Sequence, residues 1–448
     1  MNFGILDILQ LVGALGLFLF GMTMMSEALQ KVAGNKMRAI LASMTKNRVL
    51  GVLTGVIVTS IIQSSSATTV MVVSFVNAGL LTLAESISVI MGANIGTTVT
   101  AWFVSLIGFK FSIADIAIPM IGFSLLFIFS KNDRRKSIGE VMIGFSLLFI
   151  GLEYLKNSVP DIKANPEMLH FLTEYTNMGY GSILLFLLIG TILTVIVQSS
   201  SATMAITLVM LSQGWITFEI GAAMVLGENI GTTITANIAG LTAKTNARRA
   251  ALSHTMFNVC GVVWMLVVFY PFMNLVEWMV GGNATDGANS LYALSMFHTM
   301  FNVTNTFIMI WLIKPLEKIV CKILPEKKEE NEFALKFIST GMLSTGELSL
   351  IEAEKEIEVY AERTHRMFDE ARKLTLATYD DRNAQKYAER VAHYESASDQ
   401  TEGAIADYLY DIDATPISTD LKNRIRNYLY LTTEIESVAD RCYNISRS

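Results

Sequence analysis

The chain of 448 residues has few charged residues, and two long stretches contain no basic residue at all. Only 17% of the residues are Asp, Glu, Lys or Arg, whereas 52% are hydrophobic. No lysine or arginine occurs from Val49 to Phe109 or from Gly179 to Ala243. This composition is typical of a membrane protein, and the net charge of −6 gives no indication of a nucleic-acid partner.

Cysteine is also scarce. Cys260, Cys321 and Cys442 lie far apart without metal-ligand spacing, which argues against a disulfide framework and a zinc site. The apolar part of the chain also lacks a convincing pair of nucleophile and base. We therefore expect neither an enzyme nor an organic cofactor. The hydrophobic composition predicts that membrane lipid surrounds this part of the chain.

Charged residues concentrate after Pro325, which predicts a membrane domain over residues 1–325 and a soluble domain over residues 326–448. The first apolar stretch, Ile5–Leu29, has no basic leader and is long enough to cross about 30 Å of hydrocarbon, so we expect it to stay in the protein. The helical pattern runs up to Ser448, so the sequence leaves open whether the bundle is truncated there.

Four basic clusters separate the apolar stretches, and the positive-inside rule predicts that all four are cytoplasmic. Counting crossings places them on one side only if two stretches, residues 50–78 and 180–212, enter the membrane and return. Limbs of about 14 residues, or roughly 21 Å, are too short to cross. The apolar stretches lie at residues 5–30, 50–78, 82–107, 112–130, 138–156, 180–212, 217–240, 248–273 and 290–313.

The chain contains an internal repeat. A shift of 135 residues aligns Gly55–Ala101 with Gly190–Ala236 without a gap, and pairs two QSSSAT sequences and two NIGTT sequences. Because the two re-entrant hairpins enter from opposite sides, the repeats are inverted, as in secondary transporters. We therefore predict an all-α polytopic transporter with an outside N-terminus, repeats over about residues 5–130 and 138–273, an extra span at 290–313 and a cytoplasmic helical tail.

The QSSS sequences indicate an anion site. Where a hairpin turns, serines can cap the next helix, whose free N–H groups and positive dipole end attract an anion without a basic side chain. The alternative is that these serines only satisfy helix backbone or allow close packing. The residues concerned are Gln63, Ser64, Ser65, Ser66, Gln198, Ser199, Ser200 and Ser201.

The NIGTT sequences supply neutral oxygen ligands that suit a monovalent cation, although small-residue packing is the alternative explanation. An anion held without Lys or Arg needs a cation nearby, which predicts coupling to sodium. Glu228, an acid where the first repeat has Ala93, is a candidate coupling acid that holds a cation, carries a proton or faces a polar cavity.

The tail has three stretches with helical spacing of apolar residues and is predicted to be a bundle. Glu436 and Asp440 share one helix face, where they hold a divalent metal or face water.

Paired QSSS sequences in inverted repeats, each followed by NIGTT, resemble the type II sodium-dependent phosphate cotransporter family. The resemblance covers about residues 5–315. It implies that phosphate binds to Gln63, Ser64, Ser65, Gln198, Ser199 and Ser200. It also implies that sodium, the coupling ion, binds among Ser66, Thr68, Asn94, Thr97, Thr98, Ser201, Asn229, Thr232 and Thr233.

The tail resembles a PhoU-like domain, a resemblance that implies metal binding by Glu-x-x-x-Asp at Glu436 and Asp440, and a homodimer or signalling partner. Together these features predict a symporter in the cytoplasmic membrane that imports inorganic phosphate with sodium. The alternatives are a sodium-coupled carrier of another oxyanion and a membrane-anchored phosphate sensor.

Overall fold

The chain is helical throughout the part that its computed structural model describes. That part comprises residues 5–43, 47–108, 114–158, 175–176, 178–241, 243–281, 287–325, 335, 337–338, 346–377, 383–414, 417 and 419–447. No strand occurs in these ranges. Within the described ranges, five helices are long and apolar enough to cross a membrane, which confirms the predicted all-α membrane fold.

The helices follow the apolar stretches of the sequence. In chain order they are α1 Ile5–Ser43, α2 Arg48–Ile62, α3 Ser65–Asn77, α4 Leu83–Phe103, α5 Ala114–Ile128, α6 Asp133–Ser158, α7 Tyr180–Val197, α8 Ser200–Ser212, α9 Phe218–Gly231, α10 Thr233–Gly240, α11 Thr245–Val267, α12 Phe269–Val280, α13 Gly287–Met309, α14 Ile313–Ile323, α15 Gly346–Leu376, α16 Ala384–Asp413 and α17 Thr419–Arg447.

Each QSSS sequence interrupts its apolar stretch, as the sequence predicts. The first interruption separates α2, of 15 residues, from α3, of 13 residues. The second separates α7, of 18 residues, from α8, of 13 residues. The limb α7 is longer than the predicted 14 residues. At 18 residues, α7 is one of the five helices that are long and apolar enough to cross a membrane, so the hairpin at the second QSSS sequence stays a prediction.

The chain folds into two compact units. The first comprises Met1–Val72, Leu83–Ile238 and Arg249–Ile323, and the second comprises Val73–Thr82, Ala239–Arg248 and Leu324–Ser448. In the first unit, equivalent helices of the two repeats pair in the same way, α2 with α4 and α7 with α9.

Glycines of the two aligned segments allow these helix pairs to approach closely. A Cβ at Gly92 would overlap the carbonyl of Val52, and a Cβ at Gly227 would overlap the carbonyl of Leu187. The glycines therefore allow close packing in both repeats. In the first repeat α4 continues through NIGTT, whereas in the second repeat the helix is interrupted at Thr232.

The second unit contains the helices α15, α16 and α17, which pack on one another. Leu350, Ile357, Ile405, Leu409 and Ile425 belong to their shared apolar core and are almost fully buried. In the same unit, the Asn77 side chain donates to the carbonyl of Phe337 at 3.1 Å and to the Glu352 carboxyl at 3.2 Å. The backbone N–H of Lys244 donates to the Asn77 side-chain oxygen at 3.0 Å.

Candidate functional site

The two glutamines of the QSSS sequences end their helices in the same unusual conformation. Gln63 has φ 58° and ψ 27°, and Gln198 has φ 55° and ψ 25°, both in the left-handed region that L-residues seldom adopt. The backbone N–H of each glutamine donates to the carbonyl four residues earlier, that of Thr59 or Thr194, at a distance of 2.7 Å. The left-handed residue turns the chain out of the helix and lets a new helix begin within two residues.

The first serine of each sequence caps the helix that follows. The Ser64 hydroxyl accepts from the backbone N–H of Ala67 at 3.1 Å, and the Ser199 hydroxyl accepts from that of Ala202 at 3.3 Å. The remaining N–H groups of the first helical turn have no partner within their own helix and point toward the helix end. Both breaks therefore present the N-terminal end of a helix, which favours an anion.

Both QSSS sequences line one cavity of about 380 Å³ in the first unit. The cavity is lined by all six residues predicted to bind phosphate, and by Ser66 and Ser201 from the predicted sodium set. Its lining, within the residues that the structure describes, contains no lysine or arginine. The two copies of the motif, 135 positions apart in the sequence, thus share one polar chamber.

A chain of polar side chains connects the two repeats beside this cavity. The Ser201 hydroxyl donates to the Thr100 hydroxyl at 3.4 Å, and the Thr100 hydroxyl donates to the Gln63 side-chain oxygen at 3.0 Å. The Gln63 amide nitrogen donates to the Ser60 carbonyl at 2.6 Å. These contacts orient the amide of Gln63 at the cavity wall.

The other predicted sodium ligands do not line the cavity. Several of their side chains bond within their own helix: Asn94 donates to the Ile90 carbonyl, and Asn229 donates to the Val225 carbonyl. The Thr68 hydroxyl is 3.0 Å from the Thr59 hydroxyl. The residues outside the cavity lining are Thr68, Asn94, Thr97, Thr98, Asn229, Thr232 and Thr233.

Glu228 is 1% exposed and does not line the cavity. It accepts a hydrogen bond from the Thr207 hydroxyl at 2.7 Å. Among the roles considered for Glu228 from the sequence, the structure therefore does not support one in which its side chain faces this cavity.

Sequence reasoning missed one wall of the cavity, which α1 provides. The cavity is lined on this side by Thr23, Ser26, Glu27 and Gln30. These residues lie outside the ungapped alignment of the two repeats, so they have no aligned counterpart in the sequence. Their spacing of three and four residues puts them on one helix face, and Glu27 is an acid inside an apolar stretch. That acid was the available signal, since charged groups in membrane spans usually mark a functional surface.

The tail places Glu436 and Asp440 beside a second Glu-x-x-x-Asp sequence, Glu395 to Asp399, that sequence reasoning overlooked. Burial and the neighbouring carboxylates raise the pKa of Glu436, and burial together with Asp399 and Asp440 raises that of Glu395. No group of three or more side chains placed to hold a metal ion occurs in the described part of the chain. Metal binding and the PhoU-like resemblance stay predictions.

The comparisons with known proteins agree with this arrangement. The sequence model of the Na+/Pi-cotransporter family matches residues 17–157 and 164–296. YqeW of Bacillus subtilis is 30% identical over 313 residues, which are 69% of this chain and 96% of that protein. No solved structure matches the chain at a significant level.

Two further relatives carry functional names. YjbB of Escherichia coli K12, whose name describes inorganic phosphate export, is 27% identical over 353 residues, or 78% of this chain. The chain spans only 62% of the length of YjbB. The human sodium-dependent phosphate transport protein 2B is 41% identical over 105 residues, which are 23% of this chain and 15% of that protein.

Proposed function

The chain belongs to the Na+/Pi-cotransporter family, and from that premise we propose that it imports inorganic phosphate with sodium across the cytoplasmic membrane by alternating access. The observation that carries this proposal is the single cavity lined by both QSSS sequences. A small tetrahedral anion fits a chamber that offers two helix N-terminal ends and several hydroxyl and amide donors.

Phosphate is assigned to Gln63, Ser64, Ser65, Gln198, Ser199 and Ser200 under this proposal. Sodium is assigned to the surroundings of these residues, among Ser66, Thr68, Asn94, Thr97, Thr98, Ser201, Asn229, Thr232 and Thr233. What supports sodium coupling is charge: the cavity lining includes a carboxylate, at Glu27, and no basic side chain among its described residues. The carboxylate repels an anion bound in the same cavity, and a cation between or beside them would offset that repulsion.

The topology belongs to the same proposal. We assign an outside N-terminus, two re-entrant hairpins at α2–α3 and α7–α8, inverted repeats and a cytoplasmic tail. The lengths of α2, α3 and α8, at 13 to 15 residues, support hairpins that do not cross. Labelling of single cysteines placed at the loop after Asn77 and at Gly179, from either side of sealed vesicles, tests this arrangement.

Uptake of radiolabelled phosphate into proteoliposomes tests the function. An inward sodium gradient is expected to drive uptake, whereas the same potassium gradient gives none. Uptake that does not respond to sodium would refute the coupling. Phosphate binding without any uptake would favour a membrane-anchored sensor, and competition by arsenate and sulfate shows whether another oxyanion is the better substrate.

Export is the second candidate direction, because the name of YjbB describes phosphate export. Cells that lack other phosphate carriers separate the two directions. Import predicts that the expressed chain supports growth on low external phosphate, whereas export predicts faster loss of labelled phosphate from preloaded cells.

A further inference from the structure

The second repeat contains a buried polar pair where the first repeat has an apolar pair. In the ungapped alignment of the repeats, Thr207 and Glu228 correspond to Val72 and Ala93. All four side chains are at most 1% exposed. In the second repeat the Thr207 hydroxyl lies 2.7 Å from Oε1 of Glu228. One chain thus carries both versions of the same packing position, one apolar and one with a carboxyl group.

Three buried oxygen atoms of the second NIGTT segment have no hydrogen-bond partner: Oε2 of Glu228 and the hydroxyl oxygens of Thr232 and Thr235. The equivalent threonines of the first repeat are satisfied. Thr97 donates to the Ala93 carbonyl at 3.0 Å, and Thr100 donates to Gln63 at 3.0 Å. Because buried polar groups are nearly always bonded, three unpartnered oxygens close together in the sequence call for a ligand.

The three residues recur at helical spacing. Positions 228, 232 and 235 are four and seven residues apart, and the Thr232 backbone, at φ −62° and ψ −20°, stays in the right-handed helical region, which favours one shared face. The helix is interrupted at Thr232, where α9 ends and α10 begins. Thr207 approaches the same face from α8, the helix that starts at the second QSSS sequence.

The hydrogen bond from Thr207 does not compensate the carboxyl group fully. The Thr207 hydroxyl is also 2.9 Å from the Thr203 carbonyl, and a hydroxyl has one proton for these two acceptors. No lysine or arginine occurs between Gly179 and Ala243 to neutralise the charge from within this segment. An uncompensated carboxylate at this depth is costly, and a bound cation removes that cost.

We propose that Glu228, Thr232 and Thr235 bind one sodium ion in the second repeat, at a site for which the first repeat has no equivalent. A carboxylate oxygen and two hydroxyl oxygens are hard ligands that suit a small monovalent cation. The assignment rests on the proposed sodium coupling and deepens it, because it makes the two repeats unequal in the number of cations that they hold.

Direct binding of 22Na+ to the purified full chain in detergent tests the site apart from transport. In Glu228→Gln, the bound sodium per chain at saturation is expected to fall by about one ion, or the affinity of the weakest site by at least about tenfold, the equivalent of about 1.4 kcal/mol. The matched control is Glu219→Gln, an acid nine positions earlier on α9 that accepts from Tyr270 at 2.8 Å and is half-buried. The control is expected to bind sodium as the natural chain does.

A second variant protects the test against misfolding. Thr207→Val combined with Glu228→Ala installs the apolar pair that the first repeat already carries, so it is expected to fold and to lose the same sodium ion. Thr235→Val is expected to weaken the same ion without a change of charge. Unchanged sodium binding in Glu228→Gln and in the double variant would overturn the proposal. That result is expected if the carboxyl group carries a proton and does not bind sodium.

The outcome is separable from that of the proposed function. If the natural chain binds sodium and takes up phosphate with it, but Glu228→Gln binds sodium equally well, only the site is refuted. If phosphate uptake ignores sodium while Glu228→Gln still loses one bound ion, the coupling fails and the site stands. If the natural chain binds no sodium at all, both are refuted.

Discussion

The Ser201 hydroxyl of the second repeat lies 3.4 Å from the Thr100 hydroxyl of the first repeat. Thr100 in turn donates to Gln63, so one threonine connects the QSSS sequences of both repeats. Thr100 is 6% exposed and belongs to α4, which packs along α2. The two halves of the cavity wall are therefore joined by a side chain that the phosphate itself is not expected to contact.

Replacing Thr100 tests this connection. Thr100→Val keeps the shape of the side chain and removes its hydrogen bonds to Gln63 and Ser201. Because Gln63 loses the contact that orients its amide, we expect the KM for phosphate to rise about tenfold, in line with one or two hydrogen bonds. Phosphate uptake into proteoliposomes at saturating sodium measures the effect.

Thr54→Val is the matched control for this variant. Thr54 is also fully buried, and its hydroxyl donates to the Leu50 carbonyl of its own helix at 2.8 Å. Its loss is expected to leave the KM within about twofold. Equal effects of the two substitutions would show that Thr100 acts through general packing, not through the connection to Gln63.

The left-handed backbone at Gln63 separates the role of the side chain from that of the turn. Glycine adopts this conformation freely, whereas alanine there costs about 1 kcal/mol. We therefore expect the melting temperature of Gln63→Gly to be a few degrees higher than that of Gln63→Ala. Both variants are expected to lose phosphate uptake because the amide is missing. If Gln63→Gly transports phosphate normally, the amide is not part of the site.

The helix breaks and caps at the QSSS sequences could be predicted from the sequence, because they follow from local chemistry that occurs in both repeats. The breaks at Gln63 and Gln198, and the caps at Ser64 and Ser199, follow from polar residues in apolar stretches. Helical class and span composition follow from hydropathy.

Other features depend on tertiary packing and left no comparable signal. The wall that α1 contributes lies outside the ungapped alignment of residues 55–101 with residues 190–236, so no second copy drew attention to Glu27. The sequence does not show that α4 continues through the first NIGTT, where Gly92 and Gly96 allow the close approach of α2, while the helix is interrupted in the second. Which of two uses a glycine has is decided by the neighbouring helix, which the sequence does not show.

Glu27 gives a prediction about the sodium dependence of phosphate binding. Its carboxylate lines the cavity together with the QSSS sequences and is expected to oppose an anion unless a cation is present. Glu27→Gln should therefore lower the KM for phosphate at limiting sodium by at least about fivefold, with little change at saturating sodium. A sodium titration of phosphate uptake gives both values.

Glu153→Gln controls for the loss of an acid elsewhere in the first unit, because Glu153 pairs with Lys156 on α6 at 2.7 Å and does not line the cavity. A parallel shift of the KM at limiting and at saturating sodium in Glu27→Gln would contradict the prediction. It would mean that the carboxylate shapes the cavity without competing with the anion.

Glu352 predicts that the stability of the tail falls as the pH rises. Burial raises the pKa of this carboxyl group to about 7, against the opposing hydrogen bonds from Tyr408 and Asn77. The folded tail thus holds a proton that the unfolded chain releases near pH 4.5. The stabilisation from that proton is complete below about pH 4.5 and is lost as the pH rises through about 7.

Hydrogen–deuterium exchange of peptides from α15, corrected for the intrinsic effect of pH, measures this loss in the full-length chain. Protection is expected to fall by up to about a hundredfold between pH 5 and pH 8, since each pKa unit corresponds to about 1.4 kcal/mol. Glu352→Gln, which mimics the protonated carboxyl group, should remove the dependence. Glu358→Gln, at an exposed position of α15 paired with Lys355, should keep it. A pH dependence that persists in Glu352→Gln would assign the titration to another group, because the buried amide has no proton to release over this range.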